Sequence, residues 1–356
     1  MKYFSLQHIT VFTIISFLLF SSTFTYSQNF NFNLAVGGSN YQGDLSNSYV
    51  SSLKPALSGG FTLNLFNNVR LRTNLSFLQV GADDAKSPNS GAKQRNLDFK
   101  TNIFEGAELL EIDLLNSEDN NIVPYLFGGP SIFHFDPTTT IQQGDIDHFK
   151  LYFPNVQVPF NVGQKIHLHD IGTEGQLFHP LNINTTTYPS RVYDLTQNNW
   201  QLGGGVRVQL SEAISIAYEF SFRKINTDYL DDVSAINYIG RNEFDAQINE
   251  PLIDQNRMNL LRQGEVLSWK YTDKGGLPKG NPDKPRGNPN QNDAYFSNQI
   301  RINITIFDLF NGFGFGHGEG GGGSWGGGKE YFGSRKKLYS PRYPFGTGQL
   351  KCPRIY

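Results

Sequence analysis

The 356-residue chain has a single cysteine, two methionines and little charge, with 17% of its residues being Asp, Glu, Lys or Arg. One cysteine excludes a disulfide-stapled scaffold and any cysteine-based zinc or iron–sulfur site. The 30 Lys and Arg are set against 32 Asp and Glu, for a formal net charge of −2, so there is no basic excess to hold nucleic acid. Beyond the N-terminus no run of ~18 apolar residues occurs, which excludes a helical membrane protein. Aromatic residues are abundant, with 29 Phe, 17 Tyr and 3 Trp. They recur with Ile, Leu and Val in ordered patterns, which argues against disorder of the whole chain.

Lys2 and His8 precede the apolar stretch Ile9–Phe20, and a polar, small-residue segment ending Thr25-Tyr26-Ser27 follows. These are the features of a secretory signal peptide over residues 1–27, with cleavage after Ser27 and export from the cytoplasm.

Residues 28–307 alternate with the period of two that marks β-strands, in eight segments. Phe32, Leu34 and Val36 lie opposite Asn31 and Asn33. Leu57, Phe61, Leu63 and Leu65 alternate with Ser58, Thr62 and Asn64, and Val69, Leu71, Leu75 and Phe77 with Arg70, Arg72 and Asn74. Phe104, Leu110, Ile112 and Leu114 oppose Glu105, Glu111 and Asp113. The fifth segment, about 123–135, is the least regular, and Tyr125, Phe127, Phe133 and Phe135 form its more apolar face. The last three alternate most sharply, around Trp200–Leu210, Ile214–Phe222 and Phe296–Ile306. Their connections alternate too. Asn67-Asn68, Asn116–Asn121 and Ser211-Glu212 are short polar turns, whereas about 38–55, 81–96, 136–198 and 225–294 are long. Short turns at one rim and long loops at the other predict an all-β fold, a transmembrane antiparallel up-and-down barrel of eight strands in an outer membrane. An even count puts both chain ends on the short-turn, periplasmic side. A further hairpin from Lys150–Phe160 and Gln164–Asp170 would raise the count by two.

The polar faces would fill the lumen with Glu105, Glu111, Asp113 and Glu219 against Arg70, Arg207, Arg223 and Arg301. An eight-stranded barrel is just wide enough for side chains to fill, so the expectation is a salt-bridged plug rather than an ion path or catalytic carboxylates. Other chemistry is weaker. His167-Leu168-His169-Asp170 would put two imidazoles on one face of a strand, a start for a zinc or copper site with no third ligand evident. Asp228, Asp231 and Asp232 offer carboxylates for calcium, but their spacing fits no twelve-residue calcium loop, which favours local capping or a partner contact. Ser131 and His134 are the candidates for esterase chemistry in a lipid-modifying enzyme, without a nucleophile elbow. No cofactor and no small-molecule substrate is expected. A surface adhesin or receptor using loops 136–198 and 225–294 is the other rival.

After the last strand, the glycine-rich residues 308–328 read as a tether. Residues 329–356 carry Lys329, Arg335, Lys336, Lys337, Arg342, Lys351 and Arg354 against Glu330 alone, interleaved with tyrosines and phenylalanines. Such a strip suits docking on an acidic partner surface. Cys352 lies within it and is a candidate for an intermolecular disulfide in an oxidising periplasm.

Several strings recur in a set order: Gly38-Ser39-Asn40-Tyr41-Gln42-Gly43-Asp44, Arg95–Lys100, Gly172-Thr173-Glu174-Gly175-Gln176, Thr227–Ser234, and Arg286-Gly287-Asn288 with Asn292-Asp293. Over about residues 37–307 the chain resembles a Bacteroidota family of outer-membrane β-barrels that includes PorG of the type IX secretion system. It departs from the family at Ala294, where an aromatic is expected. The resemblance implies a non-enzymatic component of the secretion or gliding machinery. Such a barrel would tie a periplasmic ring of PorK-like lipoprotein and PorN-like subunits to the outer membrane. The family's loop motifs fall on Tyr41, Gly43, Asp44, Glu174, Gln176, Asp228, Tyr229, Asp231 and Asp232.

Overall fold

Eight long strands, each alternating apolar and polar side chains, close on themselves in the computed structural model. The structure describes residues 30–305 apart from 46–52, 118, 179–180, 184–185, 189–192, 235–238, 240, 251–252, 269–286, 289 and 291. The signal-peptide reading, His179, His317, the glycine tether and the basic tail with Cys352 all lie outside the described residues.

The wall consists of β1 (Phe30–Gln42), β2 (Lys54–Phe66), β3 (Val69–Asp83), β4 (Asp98–Asp113), β5 (Ile122–Thr140), β9 (Thr196–Gln209), β10 (Ile214–Ile225) and β11 (Ala294–Thr305). Going round, the order is β4-β3-β2-β1-β11-β10-β9-β5, and β5 pairs back onto β4. Every pairing is antiparallel. A closed ladder leaves no strand edge, which is what hydrocarbon requires of a β-structure. Among the described residues no helix is long and apolar enough to cross a membrane; the strands do so instead.

The outer surface carries the apolar rows. Leu34, Leu57, Leu75, Phe104, Leu126, Leu202, Ile216 and Ile300, one from each wall strand, are exposed. In water such a continuous belt would be a large unfavourable patch, whereas acyl chains cover it at no cost. The predicted barrel of eight strands is therefore the observed one.

Two features differ from the sequence reading. The aromatic face of β5 points inward: Tyr125, Phe127, Phe133 and Phe135 are all buried, and Leu126 takes the lipid side. The inward rings fit because β9 presents glycine opposite them, with Tyr125 registered against Gly205 and Phe127 against Gly203. A Cβ on Gly205 would stand 2.6 Å from the Tyr125 hydroxyl. The additional hairpin does not form either. Gln143–Tyr152 is an α-helix, and β6 (Lys165–His167) only pairs beside the end of β5.

The strands also run well past the apolar belt at the long-loop rim, where a cap is built. The cap contains the helices Gln143–Tyr152, Leu168–Ile171, Arg241–Ile248 and Gln255–Ser268, with a small ladder of β7 (Leu181–Ile183) and β8 (Thr186–Tyr188). Phe149, Phe160, Leu168, Leu230 and Val266 of the cap share one apolar core with Leu78, Val80, Phe133 and Phe135 of the barrel. A smaller core gathers Phe178, Ile239, Phe244, Ile248 and Leu261. The barrel's upper lumen thus continues into the cap as a packed interior.

Candidate functional site

Among the described residues, two clusters hold most of the polar chemistry, one in the lumen and one in the cap. In the lumen, alternation on β3, β4, β9, β10 and β11 sends charged side chains inward, where each must find a partner. Glu111 sits at the centre: its carboxylate is 2.6 Å from Arg207, 3.1 Å from Arg301 and 3.3 Å from Arg72. Asp113 joins Arg70 at 2.8 Å and Arg207 at 2.5 Å. Glu219 takes Arg72 and Arg301, and accepts the Tyr125 hydroxyl at 2.7 Å. Nearer the cap, Arg223 pairs with Glu105 at 3.0 Å, and the Tyr295 hydroxyl donates to the same carboxylate. The guanidinium of Arg72 lies 4.4 Å from the Phe127 ring centroid, and that of Arg207 5.0 Å from that of Tyr125, where cation–π attraction adds to the pairing. All eight lumen residues expected from the sequence belong to this network. Arg72 joins them, and its place on the inward face of β3 was already legible. The chemistry is that of a cross-linked plug.

The cap assembles motifs that lie far apart in the chain. Tyr41, at the end of β1, donates through one hydroxyl to Asp231 and to Asp293, the latter at 3.0 Å. The Asp231 carboxylate also accepts the Val233 amide at 2.9 Å, and Asp293 accepts the Leu230 amide at 2.9 Å. Asp44 receives the Asn288 amide at 2.8 Å. Gly43 is needed for close approach, since a Cβ there would collide with Asp293 and the Tyr41 ring. Asp232 has φ of 60°, in the left-handed region that Asp tolerates better than most residues. Its carboxylate collects Thr173, Gln176 at 2.8 Å and Tyr193 at 2.7 Å. Glu174 accepts the Ser234 amide at 3.3 Å. Tyr229 stacks on Tyr193 with centroids 4.3 Å apart. All nine loop-motif residues therefore sit in one cluster at the long-loop rim.

This arrangement decides between the readings of the aspartates. Asp231 and Asp232 are occupied by hydroxyl and amide donors, so the structure makes them clasps that tie loop 225–294 to β1 and to the Gly172–Gln176 turn. Tyr193 was missed because its only signal is an isolated aromatic inside a long loop. The two histidines do not converge. His167 ends β6 and pairs with Asp136 at 2.7 Å, whereas His169 lies in the next helical turn, 3.3 Å from the Tyr193 carbonyl. The esterase pair fails on strand geometry. Ser131 faces inward and donates to Asn199, whereas His134 is exposed on the opposite face beside Thr196.

Burial shifts the acids of the cap. Asp228 is pushed up to about 7, first by desolvation and then by the Asp44 carboxylate. Desolvation also raises Asp232, to about 6, against the pull of Thr173, Tyr193 and Gln176. Asp231 and Asp293 lie well above the carboxylate range, mainly because both are buried. The unfolded pKa is near 3.9, so the folded cap binds protons that the opened loops release. Cap stability is then complete below about pH 4 and falls as pH rises through about 6–7, continuing to fall as Asp231 and Asp293 ionise. Limited proteolysis of cap loops is expected to be slower at pH 5 than at pH 8, and Asp228→Asn to flatten that difference. Equal cleavage rates at the two pH values would refute the linkage.

Comparison with solved structures adds a likeness of shape. Neisserial surface protein A is 6% identical, with a TM-score of 0.34 over 78% of this chain and 97% of its own. The attachment invasion locus protein Ail of Yersinia pestis is 5% identical, with a TM-score of 0.33 over 78% and 99%. The outer membrane protein OprG of Pseudomonas aeruginosa is 8% identical, with a TM-score of 0.28 over 78% and 96%. No curated protein matches the chain. Residues 9–174 match the model of DUF6089, a domain of unknown function, a stretch that takes in β1 to β5 and the start of the cap.

Proposed function

We propose that this chain is a non-enzymatic outer-membrane component of the type IX secretion or gliding machinery. In this reading the barrel is a fixed mooring, and its C-terminal residues 329–356 bind a periplasmic ring of PorK-like lipoprotein and PorN-like subunits. The motif resemblance points to the machinery. The observation that carries the mooring role is the lumen, where Arg72, Arg207 and Arg301 converge on Glu111 and leave a cross-linked interior in place of a conduit. A barrel sealed in this way holds position in the membrane and leaves its work to what is attached to it.

In the tail, Arg335, Lys336, Lys337, Arg342, Lys351 and Arg354 supply the charge that an acidic ring surface would take up, and Cys352 supplies a covalent link. Deleting residues 329–356 is expected to abolish co-purification of the ring from native membranes while the barrel still inserts and shifts on heating in gels. Retained ring association after the deletion would overturn the proposal. A non-reducing gel tests the link separately: an adduct present in the natural chain should vanish in Cys352→Ser.

A further inference from the structure

One polar pair on the barrel wall belongs to neither cluster and is not closed on itself. Tyr218 stands outward on β10 between the exposed Ile216 and Phe220, and Asn298 stands outward on β11, next above Ile300. The Tyr218 hydroxyl donates to Asn298 Oδ1 at 3.0 Å. The Asn298 amide nitrogen has no acceptor among the described residues, and the side chain is partly exposed. Its cross-strand neighbours cannot supply one, because the register sets Asn298 against Phe220 on one side and Gly38 on the other. Turning the carboxamide over only moves the deficit. Tyr218 would then accept from the nitrogen, and the oxygen would be left unmet.

The depth of the pair rules out a headgroup as its partner. Lys224 is registered against the exposed Trp200 at the upper edge of the apolar belt, the level of the membrane–water interface. About 13 Å of strand separates Phe220 from Lys224, so Asn298 lies roughly 10 Å below that edge once strand tilt is allowed for. Hydrocarbon offers no acceptor there, and an unmet donor is costly. The opposite wall differs. Glu108 of β4 also projects outward, between the inward Ala107 and Leu109, but Thr73 donates to one of its oxygens at 2.7 Å and the other is buried in the wall.

We propose that the β10–β11 wall is a lateral interface on which a second copy of the chain docks within the membrane through Asn298. A carboxamide is self-complementary, with two donors and a carbonyl oxygen that accepts a second bond beside the one from Tyr218. Two copies inserted the same way are related by a two-fold axis along the membrane normal. Their Asn298 side chains therefore meet at equal depth, each amide donating to the oxygen of the other. Asn side chains join membrane helices by bonds of this kind. Around the pair Ile216, Ile300, Ile302 and Val36 are all exposed and carry no polar side-chain atom, so the flanking walls pack without a further polar cost.

Energy transfer between copies labelled at Cys352, in phosphatidylcholine vesicles over a range of protein-to-lipid ratios, measures the association. Asn298→Leu is expected to weaken it about tenfold, whereas Asn298→Gln, which keeps the carboxamide, retains most of it. Heat-shifted mobility confirms that each variant is folded. In a Cys352→Ser background, Ile300→Cys should form a disulfide with its own copy, and Leu75→Cys on β3 should not. Unchanged association of Asn298→Leu would overturn the proposal, as would a natural chain that stays monomeric at every density. So would association that appears only when outer-membrane glycolipid is added, or an Ile300→Cys adduct in native membranes made only with a different protein.

Discussion

Replacing Glu111 with glutamine is expected to destabilise the barrel by about 3–5 kcal/mol, the cost of leaving a buried ion network without its central partner. Four guanidiniums, those of Arg70, Arg72, Arg207 and Arg301, approach its carboxylate within 4 Å. They come from three strands, and Glu111 from a fourth, so its loss leaves cations facing one another inside a closed wall. Asp113 and Glu219 stay in place but already hold Arg70, Arg207, Arg72 and Arg301. The urea midpoint of the reconstituted barrel should fall accordingly, while Glu212→Gln, in the exposed turn between β9 and β10, leaves it unmoved. A shift below about 1 kcal/mol would mean that water rather than Glu111 neutralises these arginines.

The second large effect is expected at Asp232. Asp232→Ala removes the acceptor shared by Thr173, Gln176 and Tyr193 and leaves buried donors unmet, at about 1–3 kcal/mol for each group left unsatisfied. Alanine also tolerates φ of 60° less well than aspartate does, which adds to the loss. The cap should become protease-sensitive between residues 136 and 198 while the belt below keeps its folded mobility. Asp232→Asn tolerates the left-handed backbone and keeps one acceptor oxygen, so its effect should be intermediate. If Asp232→Ala leaves the cleavage pattern unchanged, the clasp does not hold the cap.

The two predictions fall on parts of the chain that differ in how far the sequence reveals them. The lumen was legible residue by residue. On β3, β4, β9, β10 and β11 charge alternates with large apolar residues, and period two in a closed wall leaves only inside and outside. Even so, alternation alone turns β5 the wrong way round. Alternation identifies two faces, but an aromatic face suits lipid as well as a lumen lined by arginines, and only the facing Gly203 and Gly205 settle the choice. Glu108 of β4 is less legible, because its neighbours Glu105 and Glu111 are lumenal and an acid in a strand reads as one more inward charge, yet Ala107 and Leu109 beside it take the inward positions. Its even number along β4 places it outside.

The cap motifs show the opposite limit. Tyr41, Thr173, Asp231 and Asp293 are separated by up to 252 residues yet share one hydrogen-bonded cluster. No local period encodes that meeting. The resemblance groups these strings, but the sequence leaves the aspartates open between a cation, a partner and a capping role, and only their hydrogen-bond donors decide it.

What the sequence determined by itself is the wall: strand number, the closed antiparallel class and the sorting of most side chains. It could do so because a bilayer imposes a binary choice at every second residue. What only the tertiary structure decided is how the long loops fold into a cap, which donors occupy Asp231 and Asp232, and which face of β5 lines the lumen. These depend on loop closure and on contacts between distant segments, which amino-acid order constrains only through the packed interior it eventually forms.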